Sequence, residues 1–381
     1  MATPSRWLVS EYDYTFGVQL DDRLQLESGA QFGPISVRYE TYGTLNDSRS
    51  NAILILHAFS GDAHAAGYHA IDDRRSGWWD EMIGPGKTFD TQRYFVICSN
   101  VLGGCRGTTG PASIDPATSK PYGLSFPIIT IEDMVRVQER LVTHLGIEKL
   151  LAVVGGSMGG MQALQWSVTF PERIAGAIVL ASTSRPSAQA IAFNAVGRNA
   201  IMSDSNWNEG DFYGGPPPAR GLSIARMVGH ITYLSDESMH EKFGRRLQER
   251  DRFGFDFSDQ FEVESYLEYK GGSFVDRFDA NSYIYLSKAI DYFDLAGRAG
   301  SLEDAFAPAT CKFLIVSFSS DWLYPTYQSK EMVVALMRTE KDVSYTEIDC
   351  PFGHDSFLLE TSRQGAMITS FLKTVARERV A

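Results

Sequence analysis

The stretch of sequence that decides the fold is LLAVVGGSMGGMQALQW, residues 150–166. It opens with an uncharged apolar run, which is typical of a buried parallel strand. A Gly-x-Ser-x-Gly pattern centred on Ser157 follows, and a helix-forming segment comes after it. The glycines two residues before and after the serine let the strand and the helix approach without a Cβ clash. Gly-x-Ser-x-Gly alone occurs by chance in many chains, but the flanking strand and helix predict a nucleophile elbow with the Ser157 hydroxyl at a helix N-terminus.

The composition fits a globular chain of 381 residues with one large domain or two small ones. Hydrophobic residues make up 44% of it, which suits a sizeable core. The net charge of −12 argues against nucleic acid or an anionic membrane as the main partner. The four cysteines have no Cys-x-x-Cys spacing, and the sequence shows neither a signal-peptide pattern nor a membrane-spanning run. We therefore expect a reduced, cytoplasmic protein without a metal site.

The order of apolar runs and helix-like segments predicts how the chain is organised. Besides the strand before Ser157, buried strands are expected at 52–56, 94–98, 177–181, 312–318 and 343–348, and further strands at 20–26 and 35–42. Helices are expected after a Thr130 cap and at 188–202, 224–233, 239–249, 262–270, 282–290 and 364–376. Buried strand runs stop near residue 186 and resume after residue 305.

This organisation predicts one α/β unit interrupted by a helical insertion. We expect residues 1–185 and 306–381 to form the core domain and residues 186–305 to form a lid. Alternating strands and helices predict a mostly parallel sheet that is covered on both faces. Together with the elbow at Ser157, this pattern defines the α/β-hydrolase fold.

A serine hydroxyl is a poor nucleophile at neutral pH, so an adjacent base is needed. In this fold the chain order is serine, then an acid, then histidine, each on a loop after a strand. Asp321 follows the strand at 312–318, and His354 follows the strand at 343–348. Asp321 alone fits an Asx turn and His354 alone fits a surface histidine, but together with Ser157 they predict a catalytic triad.

The predicted oxyanion hole uses two backbone N–H groups. The first belongs to Met158, which follows the nucleophile, and the second belongs to Phe59, on the loop after an earlier strand. The Phe59 ring could at the same time pack the pocket wall. His57 also follows a strand, but it precedes the serine in the chain, which places it on the oxyanion loop rather than in the position of the base.

A glycine-rich segment at residues 102–111, LGGCRGTTGP, suggests a phosphate-binding loop. It lacks the Gly-Lys-Ser/Thr ending, and no helix follows it directly. The sequence therefore favours a tightly folded loop beside the site.

Several ordered motifs resemble one family of enzymes. They are LHAFSGD at 56–62, GWWD at 77–80, IGPGK at 83–87, SNVLGGC at 99–105, GGSMGGMQALQ at 155–165 and ARMVGHITY at 225–233. Together they are similar to the homoserine O-acyltransferases, which are α/β-hydrolase-fold enzymes of methionine biosynthesis, and the likeness runs from about residue 15 to 375. The resemblance implies a ping-pong transfer in which Ser157 is acylated by acyl-CoA and L-homoserine then takes the acyl group.

The resemblance also implies roles for two charged residues. Arg226 would hold the homoserine carboxylate, and Asp355 would hold its amino group; a guanidinium fits a carboxylate well. Each residue has a structural alternative, which is a lid-helix salt bridge for Arg226 and a helix N-terminal acid for Asp355.

Within this resemblance, one residue position indicates which acyl donor the protein uses. Family members that use succinyl-CoA tend to carry an arginine two residues after the catalytic aspartate, and here that position is Leu323. Leucine offers no cation to the second carboxylate of a succinyl group, so the donor expected is acetyl-CoA. Succinyl transfer and serine O-acylation remain alternatives.

Two other classes of function fit parts of the sequence. A serine esterase would use the same triad and pass the acyl group to water, whereas a non-catalytic binding module would need no triad. No bound cofactor is expected, since acetyl-CoA is a substrate. The resemblance to the family also suggests a homodimer that associates through the lid helices. Lys242, Arg245 and Arg246 are candidates for binding the CoA phosphates.

Overall fold

The computed structural model describes residues 7–380, and an eight-stranded sheet lies at its centre. In chain order the strands are β1 Glu11–Phe16, β2 Ile35–Tyr42, β3 Ala52–Leu56, β4 Phe95–Ser99, β5 Ala152–Gly156, β6 Gly176–Leu180, β7 Lys312–Phe318 and β8 Val343–Ile348. Their order across the sheet is β1-β2-β4-β3-β5-β6-β7-β8. The pairs β1–β2 and β2–β4 are antiparallel, and every other neighbouring pair is parallel. The predicted mostly parallel sheet of the α/β-hydrolase fold is confirmed.

Helices and short strand pairs surround this sheet. The α-helices within residues 7–380 are α1 Ile131–His144, α2 Met158–Thr169, α3 Ala188–Met202, α4 Ala219–Tyr233, α5 Asp236–Lys242, α6 Glu262–Val275, α7 Ala280–Asp291, α8 Leu295–Ala299, α9 Leu302–Phe306, α10 Thr326–Arg338, α11 Ser356–Leu359 and α12 Thr361–Val380. The short pairs are Leu24–Gln25 with Gln31–Phe32, Ile83–Gly84 with Phe89–Asp90, and Ile114–Asp115 with Lys120–Pro121. None of the helices in the described part of the chain combines the length and the apolar character that a membrane span needs.

The core lies on both faces of the sheet because successive side chains of a strand point to opposite faces. Val153 packs on one face with residues of α1 and α2, such as Leu141. Val154 packs on the other face with residues of α12, such as Leu372. This two-sided burial explains why the central strands read as continuous apolar runs.

Seven helices, α3 to α9, connect β6 to β7. Residues of α3, α4, α6 and α7 form a separate small core that includes Ile201, Leu222 and Phe274. At the end of this segment, Phe306 packs into the large core beneath the sheet. The division at residues 186 and 305 into core domain and lid stays a prediction.

Two predicted elements differ from the structure. Residues 20–26 form a 3₁₀ turn at Leu20–Asp22 and the short strand Leu24–Gln25, because Asp22 Oδ2 accepts a hydrogen bond from Gly17 N–H and closes a turn. The helix predicted at 239–249 is α5, which begins earlier behind a Ser235 cap and ends at Lys242. Gly244, with a φ of 51°, ends it, since a glycine in this conformation typically stops a helix.

Candidate active site

The elbow at Ser157 joins β5 to α2. Ser157 has φ 57° and ψ −124°, a conformation that residues with a side chain rarely adopt. A Cβ atom on Gly155 would lie 2.3 Å from the Gly159 carbonyl oxygen, and one on Gly159 would lie 2.0 Å from the Leu56 carbonyl oxygen. Only glycine therefore fits at both positions, and the close approach of strand and helix holds the serine in its strained turn.

The structure brings Ser157, His354 and Asp321 together in one hydrogen-bonded chain. Ser157 Oγ lies 2.8 Å from His354 Nε2, and His354 Nδ1 lies 2.8 Å from Asp321 Oδ2. Asp321 Oδ1 accepts the backbone N–H groups of Leu323 and Tyr324, each at 3.0 Å. Because an ionised carboxylate only accepts hydrogen bonds, the proton sits on Nδ1 and leaves Nε2 free to accept from the serine.

Asp321 also determines how readily His354 takes a proton. Burial lowers the pKa of His354, but the charge and the hydrogen bond of Asp321 more than offset it, so the pKa lies above its usual value. His354 and Asp321 are both buried. A raised pKa makes the ring a competent acceptor for a serine proton.

The loop after β3 faces the elbow and is held by His57. His57 Nδ1–H donates to the Ala58 carbonyl at 2.8 Å, and His57 Nε2 accepts the Val101 N–H at 3.1 Å. Burial lowers the pKa of His57, so the ring stays neutral. Phe59, the next residue but one, lines the same cavity as Ser157.

Met158 is the first residue of α2. The first N–H groups of a helix have no partner inside it, so the Met158 N–H makes no intrahelical hydrogen bond. Phe59 lines the cavity and Met158 directly follows Ser157, and their assignment as the two oxyanion donors stays a prediction. The Phe59 ring also packs on the wall, 4.9 Å between ring centroids from Tyr283.

The cavity beside Ser157 has a volume of about 250 Å³ and carries charges of both signs. Arg226 and Asp355 both line it. Arg226 Nη1 lies 3.3 Å from Ser60 Oγ, and its guanidinium carbon lies 4.6 Å from the Phe274 ring centroid. Within residues 7–380 Arg226 takes part in no ion pair, which leaves its guanidinium available to a ligand carboxylate.

Asp355 belongs to a short 3₁₀ turn, Gly353–Asp355, that leads into α11. Its side chain makes no capping hydrogen bond to that helix. Burial raises the pKa of Asp355, although the nearby His354 and Arg226 act in the opposite direction. An ammonium group placed beside this carboxylate would stabilise its charged form.

A second, smaller cavity of about 50 Å³ lies on another side of Ser157. Leu323 lines it, together with Asn194 and Tyr324. Asn194 Nδ2 donates to Asp291 Oδ1 at 2.8 Å. No lysine or arginine of the described residues lines this cavity.

Tyr233 and Arg277 are among the residues of the larger cavity that were not predicted from the sequence. Tyr233 ends the motif at 225–233, and nothing in its local sequence indicated that it lines the cavity. Arg277 lies in the connection between α6 and α7 and donates through Nη1 to the Ser60 carbonyl at 3.2 Å. The packing of the segment between β6 and β7 against the sheet brings it to the site, and the local sequence carries no signal for that.

The glycine-rich segment at 102–111 folds back on itself, as predicted. The Gly103 N–H donates to the Thr109 carbonyl at 2.9 Å, and Val101, just before the segment, contacts His57. Val101 therefore links the start of this segment to the loop that carries His57.

One group of side chains in residues 7–380 has the spacing of metal ligands: Glu40, His64 and His69, whose ligand atoms all lie within 4.8 Å of one another. Glu40 Oε2 contacts His64 Nδ1 at 3.1 Å, and Glu40 Oε1 contacts His69 Nε2 at 2.7 Å. The two histidines thus already pair with the buried carboxylate. None of the three lines the cavity at Ser157.

Comparison with known proteins shows which families this chain is similar to. Residues 51–361 match the model of the alpha/beta hydrolase fold family. The homoserine O-acetyltransferase of Solidesulfovibrio magneticus is 58% identical over 93% of this chain and 90% of its own length. That of Methanococcoides burtonii is 59% identical over 93% of this chain and 72% of its own length.

Solved structures share the fold. The homoserine O-acetyltransferase of Bacillus anthracis superposes with a TM-score of 0.90 at 31% identity, covering 96% of this chain and 98% of its own. Esterase E22 superposes with a TM-score of 0.86 at 31% identity, covering 96% of this chain and all of its own.

The fold and the elbow therefore place the chain in the α/β-hydrolase fold family. Within that class, the identity over nearly its whole length shows that it belongs to the homoserine O-acetyltransferase family.

Proposed function

We propose that this chain transfers the acetyl group of acetyl-CoA to the hydroxyl of L-homoserine, a step of methionine biosynthesis. The observation that carries the proposal is the hydrogen-bonded chain Ser157–His354–Asp321 at a cavity that also presents Arg226 and Asp355. The triad supplies a nucleophile, and the two opposite charges match an amino acid. Relatives at 58% and 59% identity carry the name of this activity.

The first half-reaction acylates the serine. His354 Nε2 takes the proton of Ser157 Oγ while the oxygen attacks the thioester carbonyl. The backbone N–H groups of Phe59 and Met158 stabilise the negative charge that develops on the carbonyl oxygen. The tetrahedral intermediate then expels the CoA sulfur, which receives the proton from His354, and the acetyl group stays on Ser157.

The second half-reaction moves the acetyl group to the acceptor. Arg226 binds the carboxylate of homoserine and Asp355 binds its ammonium group, which orients the hydroxyl toward the acetyl-serine. His354 takes the proton of that hydroxyl, and the oxygen attacks the acetyl carbonyl in the same oxyanion hole. Ser157 leaves with the proton from His354, so the enzyme is regenerated and O-acetylhomoserine is released.

The smaller cavity supports acetyl over succinyl as the acyl group. Its volume of about 50 Å³ suits a methyl group, and Leu323 lines it where a succinyl carboxylate would need a cation. Steady-state kinetics with both donors test this point: we expect a higher kcat/KM with acetyl-CoA. A preference for succinyl-CoA would reject the assignment, and Leu323→Arg is expected to narrow the difference between the two donors.

An esterase that gives the acetyl group to water is the second candidate, and the likeness to esterase E22 favours it. The test follows CoA release from acetyl-CoA with and without L-homoserine, together with the product. Release that depends on homoserine and forms the ester supports the transferase, whereas homoserine-independent release with free acetate supports the esterase. Serine in place of homoserine tests the acceptor, and Ser157→Ala, the control, should abolish release in either case.

We further propose a cytoplasmic homodimer that associates through the lid helices. Apolar side chains on these helices face solvent, including Val196 on α3 and Ile231 on α4, which are 52% and 42% exposed. Burial of such side chains against a second copy would stabilise a dimer. Sedimentation equilibrium on the purified chain measures the assembly directly.

A further inference from the structure

Glu40, His64 and His69 form a compact cluster of oxygen and nitrogen donors outside the cavity at Ser157. Glu40 lies on β2, and the two histidines lie in the connection between β3 and β4. The carboxylate has no exposed surface, whereas the side chains of His64 and His69 are 19% and 38% exposed. The cluster therefore opens to solvent on the side of the histidines, which gives an ion a way in.

The separations within the cluster suit a metal ion. Glu40 Oε2 lies 3.1 Å from His64 Nδ1, and Glu40 Oε1 lies 2.7 Å from His69 Nε2. In a tetrahedral zinc site, bonds of about 2.0–2.1 Å hold neighbouring nitrogen and oxygen ligands about 3.3 Å apart. Both measured separations lie within about 0.6 Å of that spacing. Small shifts of the side chains would thus let all three bind one ion.

The kinds of donor select the metal. The two imidazole rings lie side by side, with 3.9 Å between their centroids, and both face the same carboxylate. Two imidazoles with one carboxylate are a ligand set of zinc and its first-row neighbours. Magnesium and calcium prefer oxygen ligands throughout, so the cluster disfavours them.

Neighbouring groups hold the donors in place. Tyr42 Oη lies 2.8 Å from Glu40 Oε2, and the His64 N–H donates to Asp62 Oδ1 at 3.1 Å. Hydrogen bonds of this kind orient the ligands of metal sites. Burial acts to raise the pKa of Glu40, but the hydrogen bonds of the two histidines and Tyr42 lower it overall. The carboxylate is therefore ionised and ready to bind a cation.

A cavity of about 370 Å³ adjoins the cluster, and His64 and His69 both line it. Its other charged side chains are two acids and two arginines, which are Glu11, Asp62, Arg38 and Arg106. Their charges balance, so the cavity sets no strong positive field against a cation. The space admits water, which fills the fourth position of a zinc ion that has three protein ligands.

We propose that Glu40, His64 and His69 bind one zinc ion through a carboxylate oxygen, Nδ1 and Nε2, with water in the fourth position. A proton on either of these nitrogens moves to the other nitrogen of its ring or passes to solvent when the ion binds. The affinity should therefore fall as the pH is lowered. The site is independent of the proposed acetyl transfer, since none of its ligands lines the cavity at Ser157.

The ion would tie β2 to a segment that borders the active site. Ser60 and Trp78, which lie before and after the two histidines in the chain, line the cavity at Ser157, and Trp78 Nε1 donates to the Asp62 carbonyl at 2.9 Å. We therefore assign zinc a stabilising role and no part in the acyl chemistry. The sequence offered no motif for this site, because Glu40 lies 24 residues before His64.

The test compares two double variants that each lose two histidines. The site variant is His64→Gln with His69→Gln, and the control is His144→Gln with His240→Gln, two exposed histidines outside the cluster. Glutamine keeps an N–H donor for Glu40 but lacks the imidazole nitrogen that zinc prefers. Calorimetric titration of the chelator-treated chain with zinc chloride measures the stoichiometry and the Kd. We expect one ion per chain in the wild type and the control, and binding weaker by about 100-fold or more in the site variant.

Thermal unfolding gives a second readout. The midpoint of the wild type and of the control should rise with zinc concentration, because the ion binds the folded chain, and magnesium should have no such effect. The midpoint of the site variant should not respond to zinc. If the double variant does not fold, His69→Gln alone, at the more exposed ligand, takes its place in both measurements.

Four results would each overturn the inference: a wild type that binds no zinc, magnesium bound as tightly as zinc, a site variant that binds like the control, or equal losses in both double variants. Both measurements use the chain without acetyl-CoA or L-homoserine. Their outcome is therefore separate from that of the proposed acetyl transfer, which is decided by product formation.

Discussion

His57 and His354 are two buried histidines on loops at the same edge of the sheet, yet their surroundings give them opposite properties. His57 directly follows β3 and contacts two neutral backbone groups, so burial lowers its pKa. His354 follows β8 and contacts Asp321, which reverses the effect of burial and raises its pKa. Position at the carboxyl end of a parallel strand is therefore not enough to make a base, and the carboxylate partner makes the difference.

Glu40 extends the comparison. This buried carboxylate pairs with His64 and His69, so these histidines also have an acidic partner. Neither of them contacts Ser157 or lines its cavity. A base for the serine thus requires both features that His354 combines, which are the carboxylate on one ring nitrogen and the nucleophile on the other.

The largest effect is expected when His354 is made to resemble His57. Asp321→Asn keeps the shape of the side chain but removes its charge. The amide of the asparagine can donate a hydrogen bond to His354 Nδ1, which favours the histidine tautomer with the proton on Nε2. We expect kcat for O-acetylhomoserine formation to fall about 10⁴-fold. Steady-state rates measure the loss, and an unchanged Kd for coenzyme A serves as the control. A loss of less than tenfold would contradict the assignment of Asp321.

The triad was predictable because each of its parts has a local signature. The apolar run before Ser157, the glycines around it and the chain order serine, aspartate, histidine are all visible in the sequence. The helix cap at Thr130 was predicted for the same reason and is confirmed, with Asp133 completing a capping box. Features that depend on neighbours in the chain can be predicted from the chain.

Features that depend on tertiary packing were missed. The edge strand Glu11–Phe16 reads as polar because most of its side chains are exposed. Helix α10 was missed because its buried face includes the polar residues Gln328 and Ser329, which interrupt the apolar pattern. Arg277 reaches the cavity only because the segment between β6 and β7 packs over the strand ends. No periodicity in the sequence encodes that arrangement.

A smaller effect is expected when His57 is changed. His57→Asn cannot reproduce both ring contacts, so the loop that carries Phe59 should lose part of its fixed position. An imperfectly placed oxyanion donor is expected to lower kcat/KM for acetyl-CoA by up to about 10²-fold. The thermal midpoint, measured in parallel, shows whether the fold is intact. A loss as large as that of Asp321→Asn would mean that His57 does more than support the loop.

The smallest effect concerns the pH dependence, and it separates the two histidines most directly. Acylation of Ser157 needs neutral His354, so kcat/KM should rise with pH and level off above the pKa of that ring. Since Asp321 raises this pKa, the inflection of the wild type should lie above the usual histidine value, and Asp321→Asn should move it to lower pH. His57→Asn should leave the inflection in place, because the pKa of His57 is already lowered and the ring is neutral throughout. Rates with acetyl-CoA across the pH range measure this, and an inflection that moves with His57 instead of Asp321 would reverse the two roles.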